Sequence, residues 1–197
     1  MGKIFYIFGK SASGKDTIYK KLIEDKSLDL KGVVRYTTRP MREGEIDGHE
    51  YFFVTPEKIA EYEQAGKIIE IHTYQTVHGP WSYAMIDDGQ VDLKKHDYII
   101  AGVLSSYVDA KNYFGADSVI PLYVEVEDGE RLQRALDREK QGNNKFIELC
   151  RRFLADSEDF SEENIAAAGI TKRYYNDDFD RCVSEIKNEI AASQGKL

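Results

Sequence analysis

Gly9-Lys10-Ser11-Ala12-Ser13-Gly14-Lys15 follows the spacing G-x-x-x-x-G-K close to the start of the chain. Glycines so placed let backbone N–H groups turn inward on a polyphosphate, and the closing lysine supplies a point charge. A helix starting there adds the partial positive charge of its N-terminus. The chemistry is capture of a nucleoside triphosphate. An ordinary Gly/Ser turn is the plain alternative, and the flanking elements decide between the two. Asp16 follows the lysine, where a Ser or Thr hydroxyl usually ligates Mg²⁺. A carboxylate is also a hard oxygen donor suited to that ion. Alternatively, Asp16 caps the helix and faces its dipole.

The arginines are bunched although the formal net charge is −8. Arg35, Arg39 and Arg42 share one stretch; Arg131, Arg134, Arg138, Arg151 and Arg152 share another. Guanidinium forks bind phosphate or carboxylate bidentately, so arginine clusters on an acidic protein suggest local anion recognition. The second cluster reads equally well as a solvated helix face paired with Glu and Asp. His49, His72, His78 and His96 lack the spacing of a metal site such as H-E-x-x-H, so surface or core histidines are expected. The overall charge should repel nucleic acid and anionic membrane, which leaves small molecules as partners.

These groups need a scaffold. Lys3–Phe8 is a short β-rich apolar run, and Asp16–Asp25 carries Ile18, Leu22 and Ile23 at helical spacing. The loop thus lies between a strand and a helix. Further strands are expected at Gly32–Tyr36, His96–Gly102 and Val119–Val126. Helices are expected at Ser105–Phe114, Gly129–Lys140, Lys145–Ala168 and Asp178–Ala192. Alternation of strand and helix predicts an α/β fold, a mostly parallel sheet with helices on both faces. Residues 37–87 differ. Tyr51–Val54 is a strand, Thr55-Pro56-Glu57 starts a short helix that Gly66 closes, and Lys67–Val77 is a strand again. This is a small β-rich insertion.

The 197 residues suit one domain of about 100–200 residues. Cys150 and Cys182 form no disulfide framework or zinc spacing, which points to a reducing compartment. No apolar run approaches the ~18 residues of a membrane span, and Met1–Tyr6 has no leader-like stretch. A cytoplasmic protein is expected. The oligomeric state stays open between monomer and homodimer.

Taken with the loop, Tyr36-Thr37-Thr38-Arg39-Pro40-Met41-Arg42-Glu43-Gly44-Glu45-Ile46-Asp47-Gly48-His49-Glu50-Tyr51-Phe52-Phe53-Val54 resembles the guanylate kinase signature T-T-R-x-x-R-x-G-E-x-x-G-x-x-Y-x-F-V. The resemblance covers almost the whole chain. It implies a three-layer P-loop fold with a core (1–36, 88–130 and 153–197), a nucleoside-monophosphate-binding insertion (37–87) and a helical lid (131–152). It implies ATP-dependent phosphorylation of a nucleoside monophosphate, with Mg²⁺, on Gly9, Lys10, Ser11, Ala12, Ser13, Gly14, Lys15, Asp16 and Thr17. Asn176-Asp177-Asp178 is similar to the family's N-D-D element near the adenine of ATP. Arg39, Arg42 and Tyr51 match the residues that hold the acceptor's phosphate. Glu70 matches a glutamate on guanine, the alternative being an exposed strand residue. Arg134, Arg138 and Arg152, or its neighbour Arg151, match the lid arginines.

The chain departs from the family in three places. Ile99-Ile100-Ala101-Gly102-Val103-Leu104 contains no acid where the family carries strand-end aspartates in a form like L-D-I-D; Asp16 is the candidate replacement for metal support. His78-Gly79-Pro80-Trp81-Ser82-Tyr83 replaces a G-N-Y-Y-G segment, with Tyr83 or Trp81 standing for the tyrosine on phosphate. Arg35 stands where the family often has serine. Ribose 1,5-bisphosphate kinase is similar in having Gly-Lys-Asp and no strand-end acids, but not in the G-E-x-D-G-x-x-Y-F-F-V stretch kept here. A non-catalytic, protein-binding guanylate-kinase-like module is the other alternative; such modules have generally lost the glycine and lysine retained here as Gly14 and Lys15. GMP is the expected acceptor.

Overall fold

The computed structural model describes residues 1–76, 79–141 and 145–196. In chain order the elements are β1 (Ile4–Phe8), α1 (Lys15–Ile23), β2 (Leu30–Gly32), β3 (Tyr36–Thr37), β4 (Phe52–Phe53), α2 (Pro56–Gln64), β5 (Ile68–Thr76) and β6 (Gly79–Ile86). There follow β7 (Asp97–Gly102), α3 (Leu104–Phe114), β8 (Val119–Glu125), α4 (Asp128–Gln141), α5 (Phe146–Asp159), α6 (Glu162–Ala167), β9 (Arg173–Tyr175) and α7 (Phe179–Ser193).

β1 is buried at every residue, as its unbroken apolar run requires of a strand covered on both faces. It is the centre of a five-stranded sheet, β2-β7-β1-β8-β9, in which every pairing is parallel. Period-two alternation sends Ile4, Tyr6 and Phe8 to one face, with Tyr107 and Leu104 of α3 and Ile165 of α6. Phe5 and Ile7 go to the other, with Ile18 and Leu22 of α1 and Cys182, Val183, Ile186 and Ile190 of α7. Each fully buried side chain of this size contributes roughly 1.5–3 kcal/mol, so β1 anchors both outer layers. The α/β class and the three layers are as expected.

Two expected elements divide. The strand over Gly32–Tyr36 splits into β2, at the edge of the parallel sheet, and β3, in a second sheet ordered β4-β3-β6-β5. The chain crosses between sheets at Val33–Arg35. The helix over Lys145–Ala168 splits into α5 and α6, because the Ser161 side chain accepts from the Asn164 amide and starts a new helix. In the second sheet β6 pairs antiparallel with β3 and β5. Thr55 caps α2 as expected, accepting from Lys58 N. Val77 and His78 lie outside the described residues. Among the described residues no helix is long and apolar enough to cross a membrane.

Candidate functional site

The loop leaves the carboxyl end of β1 and runs into α1. Ala12 sits at φ 63°, in the left-handed region, and so does Gly14 at φ 86°, the helix N-cap. Successive turns of this kind aim amides at one point, and Lys15 and Asp16, in the first turn, have N–H groups with no helical partner. Gly14 cannot carry a side chain: a Cβ would stand 2.3 Å from Asn176 Nδ2. That amide donates to Ser13 O at 2.8 Å, so Asn176, buried before α7, braces the loop from behind. The Ser13 hydroxyl is buried without a hydrogen-bond partner among the described residues. Lys15 Nζ lies 3.2 Å from Asp16 Oδ2. The N-cap is Gly14 rather than Asp16; Asp16 lies in the first turn, where its charge faces the helix dipole as the alternative expects. Its carboxylate is 77% exposed and remains open to a cation.

The second arginine cluster surrounds this loop from α4 and α5. Arg134 donates to Asn176 O at 2.8 Å and to Glu130 at 2.5 Å, tying α4 to the start of α7. Arg138 and Arg152 line a small cavity with Ser11, Arg131 and Phe153. Arg151 turns outward into a bidentate pair with Glu148, at 2.8 and 2.7 Å. Arg152 is therefore the member of the neighbouring pair that faces the loop. It also lies 3.4 Å from Glu148. Lys10 pairs with Asp128 at 3.1 Å.

The first cluster belongs to the second sheet. Arg39 is 4% exposed, with its guanidinium 5.6 and 5.4 Å from the ring centroids of Tyr51 and Phe53. Glu45 accepts from Arg39 Nη1 and Nη2 at 2.9 and 2.7 Å, and Pro40 O from Nη1 at 2.8 Å. The Arg39 guanidinium, against the opposing effect of burial, holds the Glu45 carboxyl down at about 2. Tyr83 packs edge-on to Tyr51 at 5.7 Å and so joins this group. Arg42 is exposed beside it.

Glu70 is not an exposed strand glutamate. The β5–β6 register shifts between Ile68 and Glu70, and such a bulge re-aims side chains. Glu70 turns inward to 3% exposure. Its Oε1 accepts from Arg35 Nη1 at 3.4 Å, while Oε2 has no hydrogen-bond partner among the described residues. Burial opposes the charge on Arg35, but Tyr6 and Glu70 outweigh it and raise its pKa further. His72 Nε2 lies 3.9 Å from Glu70 Oε2 and 3.5 Å from Asp109 Oδ2 on α3. The histidine spacing in the sequence gave no sign of this cluster. A buried carboxylate oxygen facing no donor calls for one from a ligand, beside a guanidinium that offers donors of its own.

A guanylate kinase family model matches residues 1–87. A guanylate kinase of Symbiobacterium thermophilum is 31% identical over 99% of this chain and 87% of its own length. The chain belongs to the guanylate kinase family. A guanylate kinase of Porphyromonas gingivalis is 27% identical over 97% of both chains. The crystal structure of guanylate kinase from Anaplasma phagocytophilum superposes with a TM-score of 0.70, at 20% identity, over 98% of this chain and 86% of that one, and shows the same fold. The enzymes of this family are nucleoside monophosphate kinases, and this chain is one of them.

The family model stops before β7, and a marked departure of this chain lies beyond that point. The acid-free run 99–104 ends β7 against Tyr6: a Cβ on Gly102 would lie 2.5 Å from the Tyr6 hydroxyl. An aromatic phenol occupies space that a strand-end side chain would need. Asp109, farther along α3, brings a carboxylate to the Glu70 cluster instead. Arg131 and Asp156 also went unmarked as site residues, although they touch the phosphate loop.

Proposed function

We propose that the chain transfers the γ-phosphoryl group of ATP to GMP, giving ADP and GDP. The observation that carries GMP is the buried Glu70 oxygen without a donor, set beside the Arg35 guanidinium. Guanine offers a donor at N1 and an acceptor at O6 on adjacent atoms of one edge. Glu70 accepts from N1–H and Arg35 donates to O6. Adenine reverses both, leaving the carboxylate facing a lone pair and the guanidinium facing an amine, an arrangement that polar pockets reject strongly. Arg39, Arg42, Tyr51 and Tyr83 hold the acceptor's phosphate, with Glu45 fixing the plane of the Arg39 fork.

The loop residues Gly9 to Thr17 hold the triphosphate, and Lys15 sets a positive charge on it. Asn176 braces the loop beside the adenine side of the site. The acceptor phosphate is already anionic at neutral pH, so no general base is needed. Catalysis is alignment plus charge neutralisation by Lys15, Arg39, Arg134, Arg138 and Arg152. Asp16 is the residue that would hold Mg²⁺, directly or through water; its open carboxylate next to Lys15 fits a hard cation. Held there, Mg²⁺ would supply neutralisation of the phosphoryl charge. Core, insertion (37–87) and lid (131–152) close over the reactants and keep water from the phosphoryl group. With these substrates, the reading is of a cytoplasmic enzyme.

A coupled ADP-release assay with GMP, dGMP, AMP, UMP and ribose 1,5-bisphosphate in parallel tests this. GMP and dGMP should have the highest kcat/KM. Turnover of ribose 1,5-bisphosphate alone would overturn the nucleotide assignment.

A further inference from the structure

Among the described residues Arg131 is the largest fully buried side chain, in the first turn of a helix whose other basic residues are exposed or half-buried. Its guanidinium stacks 4.1 Å from the Phe153 ring centroid on α5. Nε and Nη2 donate to Asp128 Oδ1 at 3.1 and 3.0 Å. Nη1 reaches Asp156 Oδ2 at 3.3 Å and Ser11 O at 3.4 Å. Asp156 Oδ2 in turn accepts from the Ser11 amide at 2.7 Å. Asp128 accepts from Lys10 Nζ at 3.1 Å.

The result is a closed ring of alternating charge, Lys10–Asp128–Arg131–Asp156, joined back to Ser11. Its charges sum to zero, so the buried Arg131 is not an uncompensated ion. It fastens both the N–H and the C=O of one loop residue, and it does so from two separate helices. A guanidinium is suited to this: its donors are fixed in one plane, so the positions of three acceptors, Asp128 Oδ1, Asp156 Oδ2 and Ser11 O, become mutually dependent. Arg138 and Arg152, on those same two helices, line the cavity over Ser11.

We propose that Arg131 and Asp156 are positioning residues for phosphoryl transfer. They hold the front of the phosphate loop rigid and set Arg138 and Arg152 against it, so that ATP meets a preformed cradle. Neither touches the reacting atoms; each acts through Ser11 and through the helices that carry the arginines. This rests on the loop being the ATP site.

The test compares Asp156→Asn, Arg131→Lys and Lys15→Ala with the parent enzyme. Steady-state constants are measured for ATP and GMP well below the melting temperature, together with binding of a fluorescent ATP analogue. Asp156→Asn keeps the shape and an acceptor oxygen but removes the charge that holds Arg131 and the Ser11 amide. Arg131→Lys keeps the charge and loses the fork. Both should raise KM for ATP about tenfold, the scale of one charge-assisted hydrogen bond, and lower kcat, with KM for GMP within about twofold. A lower melting temperature with unchanged kinetic constants would show a purely structural pair and overturn the proposal. So would an equal rise in both KM values. If Arg131→Lys does not fold, Asp156→Asn decides alone. ATP-analogue binding that survives in Lys15→Ala identifies a different fault, the assignment of the loop, and takes the proposal with it.

Discussion

Glu70→Gln removes one negative charge and leaves the shape of the acceptor pocket as it is. Glu70 is 3% exposed, and its one side-chain hydrogen bond among the described residues, from Arg35, is long at 3.4 Å. Glutamine still presents an oxygen to that guanidinium, so the fold should survive. The loss falls on the ligand. A hydrogen bond to a charged partner contributes about 1.5–3 kcal/mol, against about 0.5–1.5 for a neutral one. Losing the whole charged bond corresponds to roughly 10- to 150-fold in kcat/KM for GMP, and losing only the difference gives the lower end. The mutant amide also offers a donor toward N1, which adenine accepts. The ratio of AMP to GMP turnover should therefore rise. The assay varies GMP and AMP separately at saturating ATP, coupled to ADP formation, with melting temperature measured alongside. A kcat/KM for GMP within twofold of the parent, at an unchanged AMP/GMP ratio, would refute base reading by Glu70.

Lys15→Ala should abolish transfer while the far-ultraviolet dichroism stays native, because the side chain lies on the loop outside both core clusters. Arg39→Lys keeps a charge beside Tyr51 but loses the fork that Glu45 orients; KM for GMP should rise at least tenfold, by about 1.5 kcal/mol or more, with KM for ATP little changed. Equal loss in both would contradict the acceptor assignment. Asp16→Ala should lower the rate and raise the Mg²⁺ concentration at half-maximal activity, and Asp16→Ser should recover part of both, since a hydroxyl is the usual ligand there. An unchanged midpoint in the alanine variant would mean that ATP and water alone hold the metal.

The parallel sheet was legible because β1 is five buried residues in a row and the helices after it carry apolar residues at helical spacing. The break inside Lys145–Ala168 was signalled only by Ser161-Glu162-Glu163-Asn164, a capping serine with acids in the first turn, within a stretch, Asp156–Asn164, that is polar apart from Phe160. β2 and β3 could not be separated in the sequence: nothing in Val33-Val34-Arg35 announces a move between sheets. The placement of the loop between β1 and α1 was legible, since the motif and its flanking elements are local. Glu70 was legible only through resemblance, because its inward turn depends on a bulge set by pairing with β6. Asp109 and Asp156 carried no signal, and Arg131 only that of its arginine cluster. Their partners are distant in the chain, and an Arg or Asp in a charged helix looks like any solvated residue until packing buries it.

Following the label of γ-³²P-ATP in the presence of GMP tests the central claim most directly. The account predicts that label appears in the β-phosphoryl group of GDP, in step with ADP formation and with little free phosphate. Label in inorganic phosphate alone, or no labelled GDP while another phosphorylated acceptor becomes labelled, would contradict it.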